Sequence, residues 1–289
     1  MGLIETDETN KFTFEPFAAH PFYTEVNRAL VRQALGHLSQ KKDNQTITVV
    51  DMACGTGAIS RLVIEEMERQ GMLAQLRLIG VDPSAEALRR ARKGVDEMGL
   101  SVQVEFIQGE SEDLPKLVQN VDLAFFCNAI HLLTDKQTAF QMVASILAPE
   151  GIFACNSAFY NGTYATGTDR FYRLWTRRAV AWLRKEHPEA RLSREAKAAA
   201  MQWVDSDDYV RLYQESGFEH VDIVQETANI SLDAWRDLGQ YWLFIEGALP
   251  GVPLAQGAQA LEVAVYQAGE ELGLQEVPRN WLQMVGIKK

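Results

Sequence analysis

Cysteine is scarce in this sequence, and the few cysteines form no recognisable metal or redox motif. Cys54, Cys127 and Cys155 are the three among 289 residues, and all lie in or beside apolar segments. Because the count is odd and no Cys-x-x-Cys pair occurs, we expect reduced thiols, no metal site and a cytoplasmic location.

Long apolar runs and positive charge are also lacking. No run reaches the roughly 18 apolar residues that a membrane-spanning helix needs, and the N-terminal stretch is acidic and polar, unlike a secretory signal. We therefore expect no membrane span. The 28 Lys and Arg against 39 Asp and Glu give a net charge of -11. Because phosphate contacts dominate nucleic-acid binding, this balance argues against a nucleic-acid partner.

What the sequence does contain is a glycine turn between a strand and a helix, at residues 46–60, TITVVDMACGTGAIS. Residues 46–50 are β-branched and predict a buried strand, and a helical pattern begins at Ala58. Glycines in such a turn let a ligand approach the backbone, and the helix N-terminus offers unpaired N–H groups. The turn is therefore the first candidate binding site.

The same turn lacks the features of a phosphate site. No Lys or Arg lies between residues 46 and 60, so a Walker loop is excluded. Ser60 stands where a dinucleotide fingerprint has its third glycine, and Asp51 would repel a pyrophosphate. A cationic ligand with an ammonium group suits Asp51 better, and S-adenosylmethionine is such a ligand.

Residues 51–57, DMACGTG, resemble motif I of the class I S-adenosylmethionine-dependent methyltransferases, written E/D-x-G-x-G-x-G. Ala53 stands where the family's first glycine usually does. The resemblance implies that Asp51, Ala53, Gly55 and Gly57 contact S-adenosylmethionine as cofactor. The alternative is a generic α/β turn.

Two later stretches resemble further motifs of this family. Asp82 and Pro83 end a strand predicted at residues 76–81, as in motif II, and an acid there can accept hydrogen bonds from both ribose hydroxyls. Dinucleotide enzymes also use an acid at this place. After a third strand at 102–108, Glu110 stands where the family places an acid that receives the adenine amino group. The resemblance makes the Ser111 backbone N–H the donor to an adenine ring nitrogen.

The fourth strand, at 121–128, is followed by a segment that resembles motif IV. The resemblance implies that Asn128 lies at the cofactor. No Asn/Asp-Pro-Pro-Tyr/Phe, the signature of amino-group methylation on bases, occurs there. A fifth strand is predicted at 152–156. Four motifs in the right order over about 45–157 indicate the small-molecule branch, which includes enzymes of ubiquinone and menaquinone biosynthesis and of natural products.

The fold implied by this resemblance is an α/β, Rossmann-like sheet of seven strands with order 3-2-1-4-5-7-6 and strand seven antiparallel. We predict strands six and seven at 221–225 and 280–287. The domain prediction is a single methyltransferase domain, 1–289. It comprises a helical arm at about 13–42, a cofactor-binding core at about 43–157, and helical cap insertions at about 158–201 and 232–274. Tyr23 of the arm is expected either to pack over the methionine end of the cofactor or to pack in the core.

The predicted cap is aromatic and carries a stripe of arginines. Its large rings either line a site for an apolar acceptor or form the cap's own core; they are Trp175, Trp182, Trp235, Tyr241, Trp242 and Phe244. Arg170, Arg173 and Arg177 share one helical stripe with Arg184. This stripe is either a solvated face or a site for an anionic substrate group or an acidic carrier protein.

We expect a methyltransferase that acts on a small, largely apolar metabolite by C- or O-methylation. Methyl transfer from a sulfonium needs a base only when the acceptor must lose a proton. His131 is the candidate base, or else packs beside the adenosine; Tyr160, Tyr241 and Glu246 are further candidates. The alternatives are a non-catalytic S-adenosylmethionine-binding or regulatory protein and a nicotinamide-dependent oxidoreductase. The oligomeric state and the acceptor are not predicted by the sequence.

Overall fold

A seven-stranded sheet organises the described part of the chain, which in this computed structural model comprises residues 11–38, 45–110, 113–193 and 203–289. The strands are β1 Ile47–Met52, β2 Leu76–Asp82, β3 Gln103–Gln108, β4 Val121–Cys127, β5 Leu147–Ser157, β6 Phe218–Ser231 and β7 Glu276–Lys288. Their order is β3-β2-β1-β4-β5-β7-β6, and β7 runs antiparallel to β5. The predicted fold class is confirmed.

Helices connect these strands along the chain. They are α1 Glu15–Ala18, α2 Pro21–Leu38, α3 Ala58–Arg69, α4 Ala85–Asp96, α5 Leu114–Leu117, α6 Lys136–Ile146, α7 Asp169–Glu186, α8 Ser206–Glu215, α9 Leu232–Leu238, α10 Trp242–Ala248 and α11 Leu254–Leu272. Helix α4 begins directly after β2, because the Ser84 hydroxyl accepts the Ala87 N–H at 3.3 Å as an N-cap. This cap fixes where the chain leaves the acidic end of β2.

The central strands β1, β2 and β4 are buried along nearly their whole length, as parallel strands covered on both faces require. Successive side chains point to opposite faces, so Phe125 and Phe126 enter two different core clusters. In the strand register Asp51 lies opposite Gly80 on one side and Phe125 on the other. The acidic end of β1 therefore sits in the middle of the sheet, at its carboxyl edge.

The last two strands are longer than the sequence predicts. Strand β6 extends over Phe218–Ser231 and β7 over Glu276–Lys288. Most side chains of β6 are exposed or half-buried, because this strand forms the edge of the sheet. An edge strand needs few apolar residues, so its ends leave little hydrophobic signal in the sequence.

Helices α2 and α3 are joined by a buried carboxylate. Glu66, with a side chain only 1% exposed, pairs with Arg28 and Arg32 of α2 at 3.0 Å each and with Arg69 at 2.7 Å. Burial raises the pKa of this carboxyl, but the three arginines have the larger combined effect and lower the pKa to about 2. The N-terminal helix is thus attached to the helix that follows the glycine turn.

The chain divides into two compact units, which we name by their content. The sheet unit comprises Thr24–Tyr160, Val204–Glu226 and Trp281–Lys289, and the helical unit the described parts of Met1–Tyr23, Asn161–Trp203 and Thr227–Asn280. Much of the two predicted insertions falls in the helical unit. The predicted domain boundaries and the role of a cap stay predictions.

Candidate active site

The turn after β1 has the backbone of a ligand-binding loop. Ala53, Gly55 and Gly57 all have positive φ, at 50°, 52° and 76°. A Cβ added at Gly55 would meet no atom within 4 Å, whereas one at Gly57 would lie 3.0 Å from Ala91 Cβ of α4. Gly55 therefore borders open space, and Gly57 allows α3 to approach α4. Ala53 adopts a left-handed conformation that costs about 1–2 kcal/mol for a residue other than glycine.

Asp51 is a buried carboxyl directly before this turn. Its side chain is almost fully enclosed and accepts a hydrogen bond from the Ser60 hydroxyl at 2.6 Å. Burial raises the pKa of Asp51 to about 7, although the Ser60 bond lowers it. A cation placed nearby would favour the charged form of this group.

Asp82 joins the ends of three strands. Its Oδ2 accepts the Gly55 N–H at 2.8 Å and its Oδ1 accepts the Ser84 N–H at 2.9 Å. Its backbone carbonyl accepts the Gly109 N–H at 3.2 Å. Burial raises the pKa of Asp82, and the two amide bonds to its carboxylate counteract this. Because each carboxylate oxygen has more than one lone pair, both can still accept a ligand hydroxyl.

The loop after β3 lies close to this cluster. Gln108 of β3 donates to the Pro83 carbonyl at 2.9 Å. Pro83 and Glu110 are exposed, and the Glu110 carbonyl accepts the Asp113 N–H at 3.0 Å. Ser111, predicted to bind the adenine, lies outside the described residues.

Asn128, the predicted cofactor contact after β4, lies at the same edge with a left-handed φ of 56°. Its side chain donates to Asn27 Oδ1 at 2.9 Å and accepts the Trp281 indole N–H at 3.0 Å. Neither Asn27 nor Trp281 is among the site residues predicted from the sequence. The sequence offers one signal for Asn27, which is a polar residue within the predicted helical arm beside its apolar positions.

His131, the predicted base, is buried just beyond this turn. Its ring lies 4.4 Å from the Phe159 ring, and its Nδ1 is 3.2 Å from the Ser157 hydroxyl. The side chain is only 4% exposed. Tyr160 is also buried, and its hydroxyl donates to Gln225 Oε1 at 2.8 Å.

The remaining predicted site residues belong to the helical unit. The rings of Tyr23 and Tyr241 both contact Phe14, with centroids 5.6 and 5.2 Å away. Glu246, one turn into α10, is half-buried, and burial raises its pKa. The structure therefore brings Tyr23 and Tyr241 to the same aromatic ring within the helical unit, and it brings Asp51, Gly55 and Asp82 together within the sheet unit.

Two of the predicted cap rings form the core of the helical unit. Trp175 and Trp235 are almost fully buried and lie 5.9 Å apart. Their indole N–H groups donate to the Leu261 carbonyl at 2.8 Å and the Val277 carbonyl at 3.3 Å. Their burial shows that these two rings pack in the core of this unit.

An open groove of about 610 Å³ runs along the exposed face of α7. Its lining residues are Tyr164, Tyr172, Arg173, Thr176, Arg177, Val180, Ala181 and Arg184. Arg177 also pairs with Glu271 at 3.9 Å. The predicted arginine stripe thus borders this groove at Arg173, Arg177 and Arg184, and Arg170 is exposed on the same helix.

Within the described residues, no helix is long and apolar enough to cross a membrane. The same part of the chain contains no group of three or more His, Cys, Asp or Glu side chains arranged to hold a metal ion. All three cysteines are buried and free of disulfides.

Comparison with known proteins places this arrangement in a family. A family model described as a methyltransferase domain matches residues 43–217. A probable S-adenosylmethionine-dependent methyltransferase of Saccharomyces cerevisiae is 34% identical over 37% of this chain and 34% of its own length. A trans-aconitate 2-methyltransferase of Azoarcus sp. is 32% identical over 43% of this chain and 44% of its own. This chain therefore spans less than half of the length of either relative.

A solved structure resembles the whole chain. The phosphoethanolamine N-methyltransferase 2 of Haemonchus contortus, in complex with phosphomonomethylethanolamine and S-adenosylhomocysteine, matches with a TM-score of 0.55 and 15% identity. The match covers 98% of this chain and 57% of that one. At this identity the likeness concerns the fold.

Proposed function

The chain belongs to the methyltransferase domain family, and from this membership we propose that it transfers the methyl group of S-adenosylmethionine to a small molecule. The observation that carries the proposal is the cluster of Asp51, Gly55 and Asp82 at the carboxyl ends of β1 and β2. Ligands of open α/β sheets bind at this edge. A buried acid, an open glycine and a second acid suit a ligand with an ammonium and a ribose but no phosphate.

The residues of the sheet unit fit the parts of this cofactor. Asp51 would hold the ammonium, because its burial strengthens attraction to a cation. Asp82 would accept both ribose hydroxyls, and Gly55 leaves the backbone open to the ligand. Glu110 is exposed at the end of the third strand and would receive the adenine amino group. We further propose that Ser111 donates its N–H to the adenine ring.

In this reaction the protein contributes mainly by positioning the methyl acceptor, and less by acid–base or covalent catalysis. Bound S-adenosylmethionine supplies an already activated methyl group, so the protein aligns the acceptor and excludes water. Where the acceptor must lose a proton, His131 is our candidate base, oriented by Ser157. Tyr160, Tyr241 and Glu246 are further candidates. The Tyr160 hydroxyl already donates to Gln225, so it would have to exchange that partner.

We propose a small, largely apolar acceptor that is methylated on carbon or oxygen. The half-buried Phe159, which follows β5 at the carboxyl edge, supports an apolar binding surface. The name of the Azoarcus relative, a trans-aconitate methyltransferase, supports a small molecule and admits a carboxylate on it. An anionic group, on the acceptor or on a carrier protein, would bind at Arg173 and Arg177 beside the groove of α7.

The first test is cofactor binding. S-adenosylhomocysteine should bind the purified protein in calorimetry and, at 100 times its Kd, add about 2.7 kcal/mol to the free energy of unfolding. NADH should do neither. Tight NADH binding without S-adenosylhomocysteine binding would overturn the proposal.

The second test is turnover. The protein is incubated with S-adenosylmethionine carrying a deuterated methyl group and with a small-molecule extract, and mass spectrometry detects labelled products. The expected result is a product heavier by one labelled methyl group, absent without protein. Binding without any labelled product would assign the chain to non-catalytic S-adenosylmethionine-binding proteins.

A further inference from the structure

A buried hydrogen-bond network crosses the carboxyl edge of the sheet unit. Asn27 of α2 lies at its centre, since its Oδ1 accepts the side-chain amides of Asn128 and Asn156, each at 2.9 Å. Asn27 and Asn156 are completely buried. Because buried amides are costly to leave unpaired, these residues hold one another in a single arrangement.

The hydrogen bonds of Asn128 support this arrangement. Its Oδ1 accepts the Trp281 indole N–H at 3.0 Å, and its backbone N–H donates to Asn156 Oδ1 at 2.9 Å. Its φ of 56° lies in the left-handed region, which few residues other than glycine adopt, although asparagine does so more readily than most. Such a conformation persists only where the surroundings fix it, and it occurs preferentially at ligand sites. The network therefore stabilises a strained turn at the end of β4.

The strained turn stands beside the proposed cofactor loop. Strand β4 pairs directly with β1, and Asp51 lies in register with Phe125, three residues before Asn128. The turn after β4 and the glycine turn after β1 thus leave neighbouring strands at the same edge. Asn128 and Asn156 belong to this edge, at the ends of β4 and β5, whereas Asn27 comes from the N-terminal helix.

We propose that Asn27 is a positioning residue for the cofactor site, acting through Asn128. This inference rests on the proposed function, because its readout is cofactor binding. The Asn27 amide oxygen fixes the side chain of Asn128, and that side chain fixes the left-handed turn against which the cofactor binds. Asn27 itself needs no contact with the cofactor. The N-terminal helix thereby takes part in cofactor affinity as well as in stability.

The structure offers a matched control for the stability effect alone. The Gln283 side chain of β7 donates to the Val26 carbonyl at 2.8 Å, which ties α2 to the sheet one residue before Asn27. This bond is also buried, yet it does not touch Asn128. Gln283 lies opposite Asn156 in the strand register, but Gln283→Leu weakens the attachment of α2 without removing a hydrogen bond of the network.

The test compares Asn27→Leu with Gln283→Leu. Leucine has a similar size to asparagine but no acceptor, so Asn27→Leu should raise the Kd of S-adenosylhomocysteine by about tenfold or more. Gln283→Leu should lower the melting temperature and leave that Kd within about twofold of wild type. Kd is measured by calorimetry and melting by scanning fluorimetry. A wild-type Kd in Asn27→Leu overturns the positioning role.

A second variant covers the case in which Asn27→Leu does not fold. Asn27→Ser leaves space for water to hydrate the freed amides, and it should still raise the Kd more than Gln283→Leu does. An unchanged Kd in Asn27→Ser overturns the proposal. Failure of the proposed function gives a different result, since the wild-type protein itself would then bind no S-adenosylhomocysteine.

Discussion

The backbone N–H of Gly55 donates to the carboxylate of Asp82 at 2.8 Å, so the glycine turn after β1 is bonded to the acidic end of β2. Both residues are among the proposed cofactor contacts, and each holds the other in place. A change in Asp82 should therefore affect the shape of the turn as well as its direct contacts with a ribose.

Replacing Asp82 with alanine should weaken cofactor binding. The variant loses the proposed acceptor of two ribose hydroxyls, and hydrogen bonds to a charged group contribute about 1.5–3 kcal/mol each. It also leaves the Gly55 and Ser84 amides without their acceptor. We expect the Kd of S-adenosylhomocysteine, measured by calorimetry, to rise by more than about tenfold and the melting temperature to fall.

Asp122→Ala is the control for the loss of stability. Asp122 Oδ2 accepts the Thr48 N–H at 2.8 Å, also between neighbouring strands, but at the start of β4 and thus at the opposite edge of the sheet. This variant should have a lower melting temperature than wild type and an unchanged Kd for S-adenosylhomocysteine. Equal Kd values in wild type and Asp82→Ala would show that Asp82 does not hold the ribose.

Asp51 should make both stability and binding depend on pH near neutrality. Its pKa of about 7 in the folded protein lies above the roughly 3.9 of an unfolded Asp, so the folded state holds an extra proton between these values. The contribution of Asp51 to the free energy of unfolding of the ligand-free protein therefore falls as pH rises from about 4 to 7. A bound ammonium favours the ionised form, so affinity should increase as pH rises through about 7.

Calorimetry of S-adenosylhomocysteine in two buffers of different ionisation enthalpy measures this coupling. Near pH 7 the protein should release protons on binding, and Asp51→Asn should remove most of the release. Proton release of the same size in Asp51→Asn would place its source elsewhere.

Glu66 should stabilise the attachment of α2 to α3. Glu66→Gln weakens bonds to Arg28, Arg32 and Arg69, and we expect a loss of at least about 1.5–3 kcal/mol in urea unfolding. Because the pKa of Glu66 is lowered to about 2, its contribution is complete above about pH 4.5 and declines as pH falls towards 2.

The neighbouring Glu65 provides the comparison. It is 43% exposed and pairs with Arg28 at 2.8 Å. An exposed pair contributes about 0–1 kcal/mol, so Glu65→Gln should unfold close to wild type. A loss as large as that of Glu66→Gln would mean that burial of the carboxylate does not set the strength of the attachment.

His131→Phe separates chemistry from packing. Phenylalanine keeps a ring against Phe159 but has no nitrogen. A base role predicts that turnover in the labelled-methyl assay falls by roughly 10²–10⁴ while the Kd of S-adenosylhomocysteine stays near wild type. Full turnover in this variant would leave His131 with a packing role only.

The core of the fold was predictable because its signals are local. The strand before Asp51, the glycines after it and the acid at position 82 stand within short stretches, and the structure brings Gly55 and Asp82 into contact. Strand order followed from the resemblance of these stretches to a known family. The ends of β6 were not predictable, because an edge strand with exposed polar residues has little apolar pattern.

Long-range polar contacts could not be predicted from the sequence. Asn27 forms hydrogen bonds with Asn128 and Asn156, which follow it by 101 and 129 positions in the chain. A periodic pattern in the sequence cannot predict such distant partners. The tryptophans show a second limit. A ring that fills a core and a ring that lines a pocket have the same sequence pattern, and only the burial of Trp175 and Trp235 distinguishes them.

Gly55→Ala tests whether the open space at the glycine turn is a binding site. A methyl group at Gly55 meets no atom within 4 Å, so it fits the ligand-free protein, but the φ of 52° becomes strained. Gly71, just after α3, has a φ of 72° and equally open surroundings, so Gly71→Ala is the matched control.

Alanine at either position should cost a similar amount, about 1–2 kcal/mol of unfolding free energy. Only Gly55→Ala should also raise the Kd of S-adenosylhomocysteine, by about tenfold or more. The added methyl group would occupy space that the ligand needs. Equal Kd values in the two variants, at equal losses of stability, would show that the cofactor does not approach the backbone at Gly55.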